Sequence, residues 1–310
     1  MRVVTSGFRY LDIDAYGGMV AYAELLNLQG SPAIAATTAP LNESITPSIR
    51  SWPVQIDRSY TANKDDLYVI IDLSEPKIFD TFVDPTRVVE VIDHHLDCQE
   101  YWRSQTKVKA QIEFVGAACT LIYERWRDSG MIDKISQTSA RLLIGGILDN
   151  TLNFKAAITD SRDRAAYDDL VKYADLPGDW PPSYFLECQQ VIEGDVVSAL
   201  RNDTKHVQYP GLEPEVSVAQ LVVWDARFAL DQLALVTSAT PTDQEWFINI
   251  ASISEGKNYI VCEDIAVQKY LSTILDVNFD GKIGVTNRLW LRKEIMKSAM
   301  EGIRSTTGRT

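Results

Sequence analysis

The chain has 310 residues, of which 45% are hydrophobic and 24% charged. At roughly 100–200 residues per domain this predicts two domains of ordinary globular composition, and it excludes a disordered chain, a collagen-like repeat and a disulfide-stapled miniprotein. A net charge of −13 argues against nucleic acid as a partner, because nonspecific binding depends on basic surface, but it admits a small anionic substrate where a bound cation inverts the local field.

In chain order, Arg2–Thr5 reads as a strand and 15–28 as a helix with Met19, Ala23 and Leu26 on one face. Residues 33–37, 67–71 and 88–92 read as buried strands, and 117–127 and 138–148 as helices. Strand–helix alternation predicts an α/β fold, a parallel sheet with helices on both faces, and ligands at the C-terminal strand ends. The run Leu176-Pro177-Gly178-Asp179-Trp180-Pro181-Pro182 marks a break, with domains expected over 1–182 and 183–310. Beyond it, 216–224, 246–252 and 259–262 read as strands and 228–236, 265–275 and 293–303 as helices, a smaller mixed α/β domain. No run approaches 18 apolar residues, so no membrane span is expected. The opening Met1-Arg2-Val3-Val4-Thr5-Ser6 turns polar too early for a secretory leader, and Cys98, Cys119, Cys188 and Cys262 form no CxxC pair. Both features fit a cytoplasmic protein with reduced thiols.

Acids recur past the predicted strands. Asp12 and Asp14 precede the Gly17-Gly18 helix start, Asp72 ends one apolar run, Asp93-His94-His95 ends the next, and Asp149 follows Leu142–Leu148. Two of the three histidines are adjacent in this group. Parallel neighbouring strands would converge these side chains on one edge. Carboxylates with imidazole suit Mn²⁺, Mg²⁺ or Co²⁺ better than a thiolate-seeking metal, and crowded carboxylates repel unless cations separate them. Two ions about 3.5–4 Å apart would serve both needs.

The segments Asp12-Ile13-Asp14, Asp72, Val91-Ile92-Asp93-His94-His95, the glycine turn Glu113–Thr120 and Ile147–Lys155 together resemble the successive motifs of the DHH phosphoesterase superfamily. Asp203-Thr204-Lys205 and Leu291-Arg292-Lys293 resemble the basic motifs of its family II, manganese-dependent inorganic pyrophosphatases, with the exopolyphosphatases as relatives. The resemblance implies a phosphohydrolase that cleaves a phosphoanhydride, pyrophosphate first, with a water activated by two divalent cations, manganese before magnesium or cobalt. It implies metal ligands at Asp12, Asp14, Asp72, His94 and Asp149, catalytic roles for His95, Asp72 and Asp93, and phosphate contacts from Lys205, Arg292, Lys293 and His95. A homodimer is compatible with it.

Two positions depart from the pattern. Phe8 stands where the pyrophosphatases place a ligand histidine, which predicts two unequal metal sites unless Tyr10 fills the gap. Asp149-Asn150-Thr151 stands where they write Ser-Asp-Thr, shifting the acid by one residue. Polyphosphate or a small nucleotide phosphate is the alternative substrate, and a non-catalytic anion- or metal-binding regulator the alternative class. Asp276–Ile283 resembles the start of a calcium loop, but its twelfth position is Asn287, not the required glutamate, so a tight Asp-Gly turn between strands is expected. His206, beside Lys205, reads as a surface residue.

Overall fold

The computed structural model describes residues 1–241 and 244–307, without the side chains of Asp97, Lys293 and 302–307. The chain divides into two compact units, Met1–Phe154 with Ile158–Pro181, and Lys155–Ala157 with Pro182–Thr310.

The first unit is a five-stranded, all-parallel sheet of order β2-β1-β3-β4-β5. Its strands are β1 (Arg2–Thr5), β2 (Ala33–Ala35), β3 (Leu67–Ile71), β4 (Val88–Asp93) and β5 (Lys109–Ile112). Its helices are α1 (Ile13–Leu28), α2 (Pro47–Arg50), α3 (Gln99–Ser104), α4 (Ala118–Asp128), α5 (Gln137–Asn150) and α6 (Ser161–Ala174). The central strands β3 and β4 are apolar on both faces but for Glu90, which accepts from the Tyr22 hydroxyl of α1, as suits a doubly covered parallel sheet. Val3, Tyr68, Ile70 and Val91 pack on one face against Phe79 and Trp102 of α3. The other face meets α1.

Helix α1 is apolar nearly all round, the pattern of a buried helix. A β-carbon on Gly17 would lie 2.7 Å from the Leu142 carbonyl oxygen of α5, and one on Gly18 would lie 2.7 Å from Ile71 of β3. The glycine pair therefore lets α1 slot between sheet and α5, and so fixes where Asp12 and Asp14 begin. Strand order reverses between β1 and β3, the switch point at which such sheets open a ligand crevice.

The second unit carries a six-stranded mixed sheet, order β10-β11-β9-β8-β7-β6. Its strands are β6 (Thr204–Val207), β7 (Val216–Val223), β8 (Trp246–Ser252), β9 (Lys257–Val261), β10 (Val277–Asp280) and β11 (Ile283–Thr286). Its helices are α7 (Trp180–Gly194), α8 (Val196–Asn202), α9 (Arg227–Asp231), α10 (Leu233–Thr237), α11 (Ile265–Ile274) and α12 (Arg292–Thr307). Only β7 and β8 pair in parallel; the other pairs are antiparallel.

Several expectations need adjusting. The strand from Ala33 stops at Ala35 rather than residue 37. The expected helix over 228–236 is two short helices that break at Gln232. Pro181 and Pro182 stand in the first turn of α7, where missing amide hydrogens cost nothing. The calcium-like loop is the β10–β11 hairpin turned at Gly281-Lys282, as its Asp-Gly pair suggested. Among the described residues no helix is long and apolar enough to cross a membrane.

Candidate metal centre

Asp72 follows β3 in a left-handed backbone conformation, φ 58°, rare for a residue with a side chain. Such strain persists where the surroundings over-determine it, often at functional sites. Asp93 ends β4, and His94 and His95 follow it. Thus two of the predicted acids do cap strands. Asp149 does not: it lies in the last turn of α5. Asp12 and Asp14 begin α1, Asp12 as its N-cap accepting from the Ala15 amide at 3.0 Å.

His94 is buried, and its Nδ1 lies 2.9 Å from the Val115 carbonyl. A carbonyl only accepts, so Nδ1 carries a hydrogen and Nε2 is the ring atom turned to the acids. That nitrogen is 3.3 Å from Asp72 Oδ1 and 3.9 Å from Asp14 Oδ2. Asp72 Oδ1 is buried with no hydrogen-bond partner among the described residues. His95 is half-exposed, with Nδ1 2.9 Å from Asp93 Oδ1 and 3.8 Å from Asp72 Oδ1. Donor atoms of Asp72, His94 and His95 lie within 4.8 Å of one another.

The electrostatics agree with the geometry. Burial first, then the charges of Asp14 and Asp12, push the Asp72 carboxyl well above the usual carboxylate range. Burial and Asp14 raise Asp12 likewise. For Asp93 burial works upward, but the hydrogen bond and charge of His95 outweigh it and hold the carboxyl low. Burial works to lower His95, and Asp93 and Asp72 outweigh it and raise it. A divalent cation among Asp12, Asp14, Asp72 and His94 would reverse the repulsion and meet the orphaned Asp72 oxygen. An oxygen-rich set with imidazole, its far nitrogen anchored to a carbonyl, fits such an ion.

Sequence reasoning missed some partners. Asp14 accepts from the Ala118 amide at 2.8 Å and the Cys119 amide at 2.7 Å, at the start of α4. Asn150, the residue after Asp149 at the end of α5, donates from Nδ2 to Asp14 Oδ2. The signal was present, since Asn150 occupies the middle of Asp149-Asn150-Thr151, where the pyrophosphatases write their aspartate.

In the second unit the two basic motifs come together. Arg292, at the start of α12, donates from Nη1 to the Asp203 carbonyl at 2.7 Å and from Nη2 to Asp203 Oδ1 at 2.5 Å. Its guanidinium already has a protein partner. Lys205 is exposed on β6, as is His206, whose Nδ1 lies 2.9 Å from Gln244 Nε2. The side chain of Lys293 lies outside the described residues. Phe8 is 39% exposed and Tyr10 60%.

No family model matches the chain. It is 25% identical over 227 residues to a Bacillus mycoides protein named "Probable manganese-dependent inorganic pyrophosphatase", covering 71% of each chain. A Listeria innocua protein of the same name is 24% identical over 237 residues, covering 76% of this chain and 75% of the relative. Among solved structures, a "putative family II inorganic pyrophosphatase" of Methanococcus jannaschii superposes with a TM-score of 0.65 at 16% identity, covering 98% of this chain and all of that one. An exopolyphosphatase-related protein from Bacteroides fragilis superposes at 0.52 with 12% identity, covering 99% and 92%. Motifs, sequence and fold thus agree that this chain resembles the DHH phosphoesterases, and within them the family II inorganic pyrophosphatases and exopolyphosphatase-related proteins.

Proposed function

We propose that the chain is a metal-dependent phosphohydrolase that cleaves a phosphoanhydride, with inorganic pyrophosphate as substrate and Mn²⁺ as its preferred ion. The observation that carries this reading is the buried Asp72 Oδ1, without a donor and 3.3 Å from His94 Nε2. Asp12, Asp14, Asp72 and His94 would hold two cations. From the end of α5, Asp149 would complete the ligand set that the resemblance implies, with Asn150 beside it donating to Asp14. When bound, the cations supply charge neutralisation for the phosphoryl oxygens and acidify water.

The protein's own groups do the rest. Asp93 fixes the ring of His95 through Nδ1, leaving Nε2 for a leaving-group oxygen. Val115 fixes the ring of His94. Lys205 and Lys293 bind the phosphoryl oxygens as point charges, and Arg292 adds a donor fork that Asp203 partly occupies. A cytoplasmic location and a homodimer belong to the same reading. Polyphosphate is the second reading, favoured by Phe8, since the related exopolyphosphatases also lack a histidine there.

The test is phosphate release from pyrophosphate, tripolyphosphate, longer polyphosphate and nucleotide mono- and diphosphates, each with Mn²⁺, Mg²⁺ or Co²⁺. Pyrophosphate with Mn²⁺ should be fastest. Rates no higher than those of Asp72→Ala and His95→Ala would replace the enzyme with an anion-binding protein.

A further inference from the structure

Three of the groups that orient the centre meet in one turn, and that turn is held from a helix outside every motif considered so far. Residues 113–119 supply the Val115 carbonyl to His94 and the Ala118 and Cys119 amides to Asp14. Helix α4 cannot cap itself, because its N-cap residue is Ala117, so Asp14 serves as a cap from another helix. The preceding amide, Gly116, is taken by Asp163.

Asp163 is fully buried on the first turn of α6. Its Oδ2 accepts from the Gly116 amide at 3.0 Å and the Asp160 amide at 2.7 Å, and its Oδ1 accepts from Thr120 Oγ1 at 2.6 Å. Next to it, Arg162 spans Glu113 at 2.8 Å and Glu124 at 2.5 Å, the beginning of the turn and the middle of α4. A β-carbon on Gly116 would fall 2.3 Å from Asp163 Oδ2 and 2.7 Å from Thr151, so this approach needs glycine. Together these long-range bonds from α6 hold the turn and the start of α4 at 113, 116, 120 and 124.

We propose that Asp163 is a positioning residue of the metal centre, holding the 113–119 turn so that Val115 selects the His94 tautomer and the α4 amides orient Asp14. The inference rests on the metal-dependent reading above. Asp163 touches neither ion nor substrate; it acts through Gly116 and Thr120. Groups one step behind metal ligands generally set ligand orientation, and losing them costs about 10–100-fold in metal affinity.

The test uses the full metal-free chain and its Asp163→Asn variant, in which an amide nitrogen meets donors that the carboxylate accepted from. Thr120→Val, which removes one donor, is the milder companion should the first variant fold poorly. Two quantities are read: Mn²⁺ affinity by calorimetry, and the ¹⁵N signals of the His94 imidazole in the metal-free chain, followed across a pH series. The expected result is a single Nδ1–H tautomer in the wild type, mixed tautomers in Asp163→Asn, and about 10–100-fold weaker Mn²⁺ binding, with a smaller loss for Thr120→Val. A purely structural Asp163 would lower the unfolding midpoint and leave both quantities unchanged, which would overturn the inference. A wild type that binds no Mn²⁺ would instead sink the metal reading, and the tautomer would still decide the role of Asp163.

Discussion

At the end of β3, Asp72 is 6% exposed, one oxygen has no donor, and its nearest charged neighbours include Asp12 and Asp14. At the start of α12, Arg292 is 13% exposed and spends its guanidinium on Asp203 and on the Asp203 and Val218 carbonyls. Behind it, Asn249 and Asn258 are fully buried and satisfied by each other and by the Trp290 backbone. The acidic cluster of the first unit is electrostatically incomplete; the basic corner of the second is complete. An incomplete buried cluster costs stability and asks for a ligand, whereas a complete one holds its own unit together.

The largest expected effect follows from the incomplete side. Asp72→Asn should abolish tight Mn²⁺ binding and lower turnover about 10³-fold or more, roughly 4 kcal/mol in the barrier. The same substitution should stabilise the metal-free protein toward neutral pH by removing a buried like charge. Denaturant unfolding without metal checks this; a destabilised variant would mean Asp72 is satisfied by the fold.

The pH dependence has a definite sign. The Asp72 carboxyl is raised in the folded state, so without metal the folded chain holds this proton longer than the unfolded chain. Its effect is absent below the ordinary carboxylate range, and stability is lost as pH rises through the raised folded value. The stability gap between Asp72→Asn and wild type should therefore be small near pH ~4, open toward neutrality, and close when Mn²⁺ is added to the wild type. A gap independent of pH would contradict the repulsion.

The complete corner should respond in the opposite way. Arg292→Ala should cost about 1.5–3 kcal/mol of stability through lost charge-assisted hydrogen bonds, with Mn²⁺ affinity unchanged. Lys205→Ala, on an exposed strand position, should change stability by about 0.5 kcal/mol or less while raising KM. If Arg292→Ala unfolds like the wild type, the Asp203 contacts hold nothing together and the contrast between the corners fails.

Phe8→His should have the smallest effect, tightening the weaker Mn²⁺ site about tenfold, roughly 1.4 kcal/mol, by restoring an imidazole. An unchanged affinity would show that position 8 faces no ion.

Much of this was legible in the sequence. Strand 67–71 is a continuous apolar run followed by Asp72, and strand 88–93 is apolar but for Glu90 and ends at Asp93, so the placing of both aspartates could be read directly. The contact by Asn150 was one residue from the expected acid, because a helix, unlike a strand end, turns each successive side chain by about 100°. Asp163 and Asp203 were out of reach: their partners are 47 and 89 residues away, and no periodicity carries a hydrogen bond over such distances. The break at Gln232, between two segments of helical composition, likewise left no mark in the hydrophobic pattern.

The central claim is that the first unit is built around missing positive charge, and calorimetric titration of the chelator-stripped full chain with Mn²⁺ tests it most directly. The account expects one tight site and one weaker site, the tight one lost in Asp72→Asn. Titration heats no larger than dilution, or tight binding that survives Asp72→Asn, would contradict it.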